Sequence, residues 1–406
     1  MEKKRRKVGG VIIMRPNHNN YGTSLQGLAT VKIVEQLGYD LRIIRYNKKR
    51  TMKELLRVLP GLIRSGALKE IVERLKSSLF KKRHAEYSML INKRTAVVNR
   101  FKQKYFEPLC DYYTGWKALC EGSKNYDIIF VGSDQVWGPL SLYAGFYNLM
   151  FVDRSIPQFS YASSFGKSFI MDHQKKDVAT FLNKMDAIGV REIRGKEIVE
   201  ELTNRNATVV ADPTLLLTRD DWERAIADSN ANIEGPYILC YMLGPRKDNR
   251  NAVANLSRQL GMKIVVFRHM DWYEPADENF GDVAVYDADC LDFVKLLKGA
   301  SYVVTDSFHC SVFSILFEKQ FLTFYRLPPM DKLSSHSRID SLMHIFGLDE
   351  RICADVNDAE WRIKCAISWN DVEKKLESYR NESIDFFRSN LELKKDCARS
   401  TMNVVV

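Results

Sequence analysis

A chain of 406 residues is longer than one ordinary α/β unit and sets an expectation of two domains. Its 45% apolar content is enough for large cores, while no window approaches the roughly 18 uninterrupted apolar residues that a membrane span requires, so the sequence predicts a soluble or peripheral protein. The net charge of +10 is local: residues 48–104 hold 17 Lys and Arg against 4 Glu, and the remainder, the basic amino-terminal residues aside, is mildly acidic, which argues against a nucleic-acid-coating body.

In chain order, Val8 to Met14 reads as a buried strand that delivers NNYGTSLQ to the start of a helix from about Ser24 to Leu37. Gly22 sits at the turn, and Thr23 or Ser24 is expected to cap the helix, leaving free amides suited to an anion or polar ligand. Gly38 stops that helix and Tyr39 to Tyr46 completes a βαβ unit. Residues 48–106 then change character to basic helices, with Leu55, Leu56, Leu59, Leu62 and Ile63 bunched around a Pro60–Gly61 break. That pattern predicts a hairpin or broken helix projecting from the first domain, either a solvated structural insertion or a peripheral, salt-sensitive membrane contact.

Strand Tyr126 to Val131 ends in Gly132, Ser133, Asp134 and Gln135, and strand Gln158 to Ala162 ends in SSFG. Ala187 to Val190 puts Arg191 at its tip, and Val209–Val210 runs into ADPTLLL, where Asp212 and Pro213 turn the chain. After the loop SNANIEGP the pattern restarts with a strand, a helix and a strand between Tyr237 and His269, and continues to SYVVTDSFHCSVFSILF. There Thr305, Asp306, Ser307 and His309 crowd one strand end between apolar flanks, at the edge where open α/β sheets hold their ligands. The expected architecture is α/β and resembles the GT-B glycosyltransferases: two Rossmann-like, doubly wound domains facing one cleft. The first spans 1–231 and includes the 48–106 insertion, the second spans 232–355, and a helical segment 356–406 crosses back to the first. Eight cysteines without a CxxC pair read as reduced core residues of a cytosolic protein, with neither a disulfide framework nor a metal-ligand constellation.

Taken together, NYGTSLQ, GSDQVW, SYASSFG, VREIRGKE, VVADPTLLL, VVTDSFHCSVFSILF and SRIDSLMHIFGL resemble, in order, the motifs of the polysaccharide pyruvyl transferase family over about residues 8–350. The resemblance implies transfer of the enolpyruvyl group of phosphoenolpyruvate to a sugar of a surface polysaccharide or exopolysaccharide, closing a pyruvate ketal and releasing phosphate, with no cofactor and no metal. It also implies an oligosaccharide or lipid-linked glycan acceptor and a cytoplasmic location at or near the inner face of the membrane. One departure stands out. Relatives carry Arg-Leu-His where this chain has Ser307-Phe308-His309, so Arg191 is the first choice for the donor clamp, with Arg338, Arg326 and Arg268 as substitutes.

The expected catalytic residues are His309, because an imidazole can give or take a proton near neutral pH, and Asp134, as base or sugar ligand. Asn20, Tyr21, Gly22, Gln26, Ser133, Gln135 and Ser307 are expected to line the substrate. The alternative from another reaction class is a GT-B glycosyltransferase using a nucleotide sugar, with Asp306 gripping a ribose. A noncatalytic polysaccharide or nucleic-acid binder would rest on the basic segment alone.

Overall fold

The computed structural model describes residues 6–12, 19–48, 80, 84–138, 145–268, 270, 273–328 and 336–394. Within them the chain forms two parallel sheets. The first contains β1 (Lys7–Val11), β2 (Asp40–Asn47), β3 (Cys110–Thr114), β4 (Ile128–Val131), β5 (Gln158–Ser163), β6 (Ala187–Val190) and β7 (Thr208–Val209), in the order β3-β2-β1-β4-β5-β6-β7. The second contains β8 (Tyr237–Tyr241), β9 (Lys263–Val266), β10 (Val283–Ala284), β11 (Tyr302–Thr305), β12 (Gln320–Phe324) and β13 (Ile352–Cys353), in the order β10-β9-β8-β11-β12-β13. Both are doubly wound, and this explains the continuous apolar runs: helices cover both faces, so β4 and β5 are buried at every residue. Each sheet reverses its winding between two central strands, β1/β4 and β8/β11, and the crevice at their carboxyl ends is where such folds hold ligands.

Helix α1 (Tyr21–Gln36) is buried along most of its length. It starts three residues earlier than the sequence suggests, because Asn20 rather than Thr23 or Ser24 caps it, its side chain accepting from the Thr23 amide at 3.3 Å. The Thr23 hydroxyl is thereby released for another partner. Tyr21 stacks on Phe293 of the second domain at 4.8 Å, and its hydroxyl donates to the Ala288 carbonyl at 3.0 Å, so the first turn of α1 is wedged between the domains.

Helix α2 (Ala85–Tyr105) corrects the expectation of a projecting insertion, at least for its carboxyl half. Ile91, Arg94, Val98 and Phe101 are buried, Arg94 Nε donates to the Tyr286 carbonyl at 3.0 Å, its guanidinium lies 4.8 Å over the Tyr21 ring, and Lys93 pairs with Asp287 at 2.9 Å. Part of the basic charge is thus spent on a strut to the second domain. The apolar positions Leu55 to Ile63 lie outside the described residues, and among the described residues no helix is long and apolar enough to cross a membrane.

The remaining helices around the cleft are α3 (Ile193–Leu202), the short α4 (Pro213–Leu216), α5 (Cys290–Gly299), α6 (Phe308–Leu316), α7 (Ser337–Phe346) and α8 (Trp369–Leu391). Helix α8 leaves the second domain and packs on the first. Phe387, fully buried, stacks on Tyr161 at 4.2 Å and meets Phe130 edge-on at 5.3 Å, Arg380 Nε donates to the Leu215 carbonyl at 2.8 Å, and Ser383 Oγ accepts from the Ala211 amide at 2.9 Å. The last two bonds brace the chain on either side of Asp212. Phe387→Ala is expected to destabilise the protein by about 3–5 kcal/mol, the usual cost of emptying a buried aromatic site. Urea unfolding measures it, and a midpoint equal to the parent's would show that α8 adds nothing to the first domain.

Candidate functional site

Strand ends from both sheets converge on one buried carboxylate. Asp212 precedes Pro213 at the start of α4, and as the cap of that helix its Oδ1 accepts from the Thr214 amide at 3.0 Å and the Thr214 hydroxyl at 2.6 Å. Its Oδ2 accepts from the Ser133 hydroxyl at 2.8 Å and from Arg191 Nη1 at 3.0 Å. His309, in the first turn of α6, brings Nε2 to 3.4 Å from the same oxygen, too poorly aligned for a hydrogen bond. The imidazole therefore reaches from the second domain into a cluster built by the first.

Local backbone geometry sets the first-domain side. Asp134 holds φ at 80°, a left-handed conformation that non-glycine residues rarely adopt, and its carbonyl accepts from the Val136 and Ser164 amides at 2.7 and 3.0 Å. The neighbouring strand β5 bulges at Ala162, also left-handed at φ 50°. Bulges of this kind re-aim side chains beside sites. Asp134 Oδ2 accepts from the Thr23 hydroxyl at 2.9 Å, and its Oδ1 stands 3.4 Å from Arg191 Nη2. Behind them Glu192 Oε1 accepts from the Ser164 hydroxyl at 2.7 Å.

Arg191 is 3% exposed, lies between Asp134 and Asp212, and is covered by the Phe308 ring 4.4 Å from its guanidinium carbon. Arg338 of α7, also buried, presents Nη1 and Nη2 at 2.7 Å to Gln135 when that amide turns its oxygen toward them. Burial opposes ionisation of Asp134, but the Arg191 guanidinium, helped by His309 and Arg338, wins and holds the carboxyl down at about 2. Asp212 is likewise held far below the usual carboxylate range, against its burial, chiefly by His309 and Arg191. Glu192 moves the other way, pushed up by burial. Burial, with the like charges of Arg191 and Arg326, pushes Arg338 down to about 9. Asp134 and Glu192 oppose that shift.

His309, Asp134, Arg191, Ser133, Gln135, Arg338 and Gly22 are thus brought together. Gly22 is required by contact: a Cβ there would lie 2.2 Å from His309 Nδ1. Other expectations need correction. Tyr21 and Gln26 are buried core residues, the tyrosine in the interdomain aromatic cluster and the glutamine with its Nε2 donating to the Thr23 carbonyl at 3.0 Å. Asn20 serves the helix as a cap, and the backbone of Ser307 is held locally, its amide donating to Thr305 Oγ1 at 3.0 Å and its carbonyl accepting from the Ser311 amide at 3.0 Å, while its side chain makes no cap bond to α6. Arg326 Nε donates to the Asp306 carbonyl at 2.9 Å, at the edge of the cluster. Arg268 lies at the tip of β9 in a separate cavity beside α2. Asp306 accepts from the Leu243 and Gly244 amides at 2.7 and 2.8 Å and so locks the β8/β11 crevice. Sequence reasoning treated Asp212 as a turn residue and passed over Thr23 as a carboxylate partner; an Asp-Pro pair beside a strand tip, inside a motif already singled out, was the available signal.

Because Asp134 ionises more readily in the folded state, its contribution to stability is complete above its ordinary value of 3.8 and is lost as pH falls toward 2. Asp134→Asn is expected to be less stable at neutral pH yet to flatten the acid limb of the stability curve across that window, read by urea titration at stepped pH. Equal acid steepness in parent and variant would mean that the carboxylate is not held down by its neighbours. Gly22→Ala should fold, since alanine suits a helix, but displace the imidazole and cost about a hundredfold in turnover, as misplacements near 1 Å can. Unchanged turnover would detach His309's position from activity.

A family model described as polysaccharide pyruvyl transferase matches residues 20–327, most of the chain and every strand tip of the cluster. No curated protein matches. Among solved structures, a Listeria monocytogenes protein described as a UDP-N-acetylglucosamine 2-epimerase superposes with a TM-score of 0.50 at 11% identity, covering 96% of this chain and 97% of that one. The Neisseria meningitidis UDP-GlcNAc 2-epimerase bound to UDP-GlcNAc gives 0.48 at 10% identity, over 95% and 99% of the two chains. Acinetobacter baumannii MurG gives 0.45 at 10% identity, over 95% and 98%. The first of these supports the two-domain GT-B fold and nothing finer. With the family's motifs supplying the strand tips that meet at Asp212, the chain belongs to the polysaccharide pyruvyl transferase family and is an enzyme of that type.

Proposed function

We propose that the enzyme transfers the enolpyruvyl group of phosphoenolpyruvate to two hydroxyls of a polysaccharide-building glycan, forming a cyclic pyruvate ketal and releasing phosphate. The observation that supports this best is a histidine from one domain facing a buried carboxylate–arginine cluster of the other, with the guanidinium of Arg338 buried against Gln135 at its edge. The donor carries a carboxylate and a phosphate, and guanidinium forks match both.

The chemistry balances as follows. One sugar hydroxyl adds to the substituted alkene carbon while the methylene carbon takes a proton and becomes a methyl group. The carbon–oxygen bond to phosphate then breaks, and the second hydroxyl attacks the resulting oxocarbenium carbon and loses its proton. His309, near both domains' contributions, is the group assigned to move these protons; a positioned acid or base is worth about a hundred to ten thousandfold. Asp134 is a weak base when held at about 2, so its expected catalytic role becomes one of placing Arg191 and Thr23. Arg191 is engaged by two carboxylates in this conformation, which makes Arg338 the better donor ligand and Arg191 the group that fixes the cluster's charge. No cofactor or metal is assigned to these steps, and a donor made in the cytoplasm places the reaction there. The nucleotide-sugar alternative shares the fold, but both carboxylate oxygens of Asp306, its ribose ligand, already accept backbone amides.

Incubation with phosphoenolpyruvate and glycan acceptors should release inorganic phosphate and yield a product heavier by a pyruvate ketal. His309→Gln is expected to bind phosphoenolpyruvate and lose at least about a hundredfold in turnover. Arg338→Ala should lose donor binding instead. Absence of phosphoenolpyruvate binding to the parent, or a His309→Gln rate within a few fold of it, would sink this reading.

A further inference from the structure

A cavity opens at the same carboxyl edge of the second sheet. Arg268 follows β9, and β9 lies two strands from β11, whose tip carries His309, a lateral separation of roughly 10 Å from ordinary strand spacing. The cavity has a volume of about 440 Å³, in the range that holds small organic ligands. Its walls come from both domains. The Phe80 ring stacks on His84 at 3.9 Å and on Tyr273 of the second domain at 3.8 Å, with Tyr87 edge-on to Phe80 and Tyr273 at 5.4 and 5.5 Å.

The polar lining is dominated by carboxylates: Glu86, Glu274, Asp277 and Glu278, against Arg268. Asp277 is buried and fixed there by Arg250, whose Nε donates to it at 2.8 Å. Arg268 Nε is buried without a hydrogen-bond partner. With Asp277 neutralised by Arg250, Glu86, Glu274 and Glu278 still outnumber Arg268, so the lining does not favour a phosphate over a neutral ligand. Carboxylates accept from hydroxyls, a guanidinium donates to ring and hydroxyl oxygens, and, because both faces of Phe80 are taken by His84 and Tyr273, the remaining surface of Tyr273 and Tyr87 is what can meet the apolar C–H face of a pyranose. Those three requirements together describe a neutral polyhydroxyl ligand.

We infer that this cavity is a glycan subsite that holds a sugar unit of the acceptor away from the unit receiving pyruvate. It reassigns Arg268 from donor to acceptor recognition. The inference rests on the reading above for its place in the reaction, though not for the binding itself.

Saturation-transfer NMR on the full chain tests it with a panel of methyl pyranosides of gluco, galacto, manno and N-acetylglucosamine configuration. The parent is expected to saturate the C–H protons of one ring face of at least one of them, and Tyr273→Leu, which keeps bulk but removes the ring, should bind that glycoside about fivefold more weakly, the effect of one lost aromatic contact. Glu274→Gln should weaken the same glycoside through its hydroxyls. No glycoside saturated by the parent, or equal binding by the parent and Tyr273→Leu, overturns the assignment. Phosphoenolpyruvate titrated into the same samples keeps the two readings apart: its failure to bind would remove the donor while leaving a Tyr273-dependent glycoside signal intact.

Discussion

The Asp212 carboxylate is the constraint on which the cleft depends. A buried negative charge survives only if it is paired and its lone pairs are filled, and here one oxygen is filled by the Thr214 amide and hydroxyl and the other by Ser133 and Arg191, with His309 adjacent. Those partners sit on α4, at the tips of β4 and β6, and on α6 of the other domain. Removing the carboxylate would leave Arg191 buried with less compensation and release several strand tips at once. The geometry around the reaction is therefore set by electrostatic necessity as much as by packing.

That constraint extends outward through the elements that hold it. Helix α8 returns to the first domain and bonds the chain on both sides of Asp212 through Ser383 and Arg380. Helix α1 carries Thr23 to Asp134 and Gly22 to His309, while its first residue, Tyr21, is clamped in the aromatic cluster of the second domain. Opposing pKa shifts follow from the same arrangement. Asp134 and Asp212 are held ionised by cations, whereas Glu192, a residue further from the cleft, is driven toward its neutral form by burial.

Charge also distinguishes the arginine-rich cluster from the cavity beside Arg268. Around His309 the arginines crowd one another. Two strands away the lining turns acidic and aromatic.

Much of this was legible in the chain itself. Apolar runs ending in polar clusters predict parallel strands with ligands at their carboxyl ends, and that local pattern carries the two doubly wound sheets, the tip positions of Asp134, Arg191 and His309, and the family. Strand and helix periodicity is a property of neighbouring residues, so sequence alone determines it. Pairing is not. Whether Arg191 faces a ligand or two internal carboxylates, whether Asp212 turns a loop or anchors a cluster, and whether Tyr21 lines a site or fills a core depend on residues tens to hundreds of positions away, on other strands or in the other domain. Helix α2 shows the same limit: its composition reads as a basic projection, yet Arg94 is drawn inward by the carbonyls of residues 285 and 286 and by the Tyr21 ring. Only the tertiary structure decides such matters, because the energy of a charge is fixed by what the fold brings within a few ångströms of it.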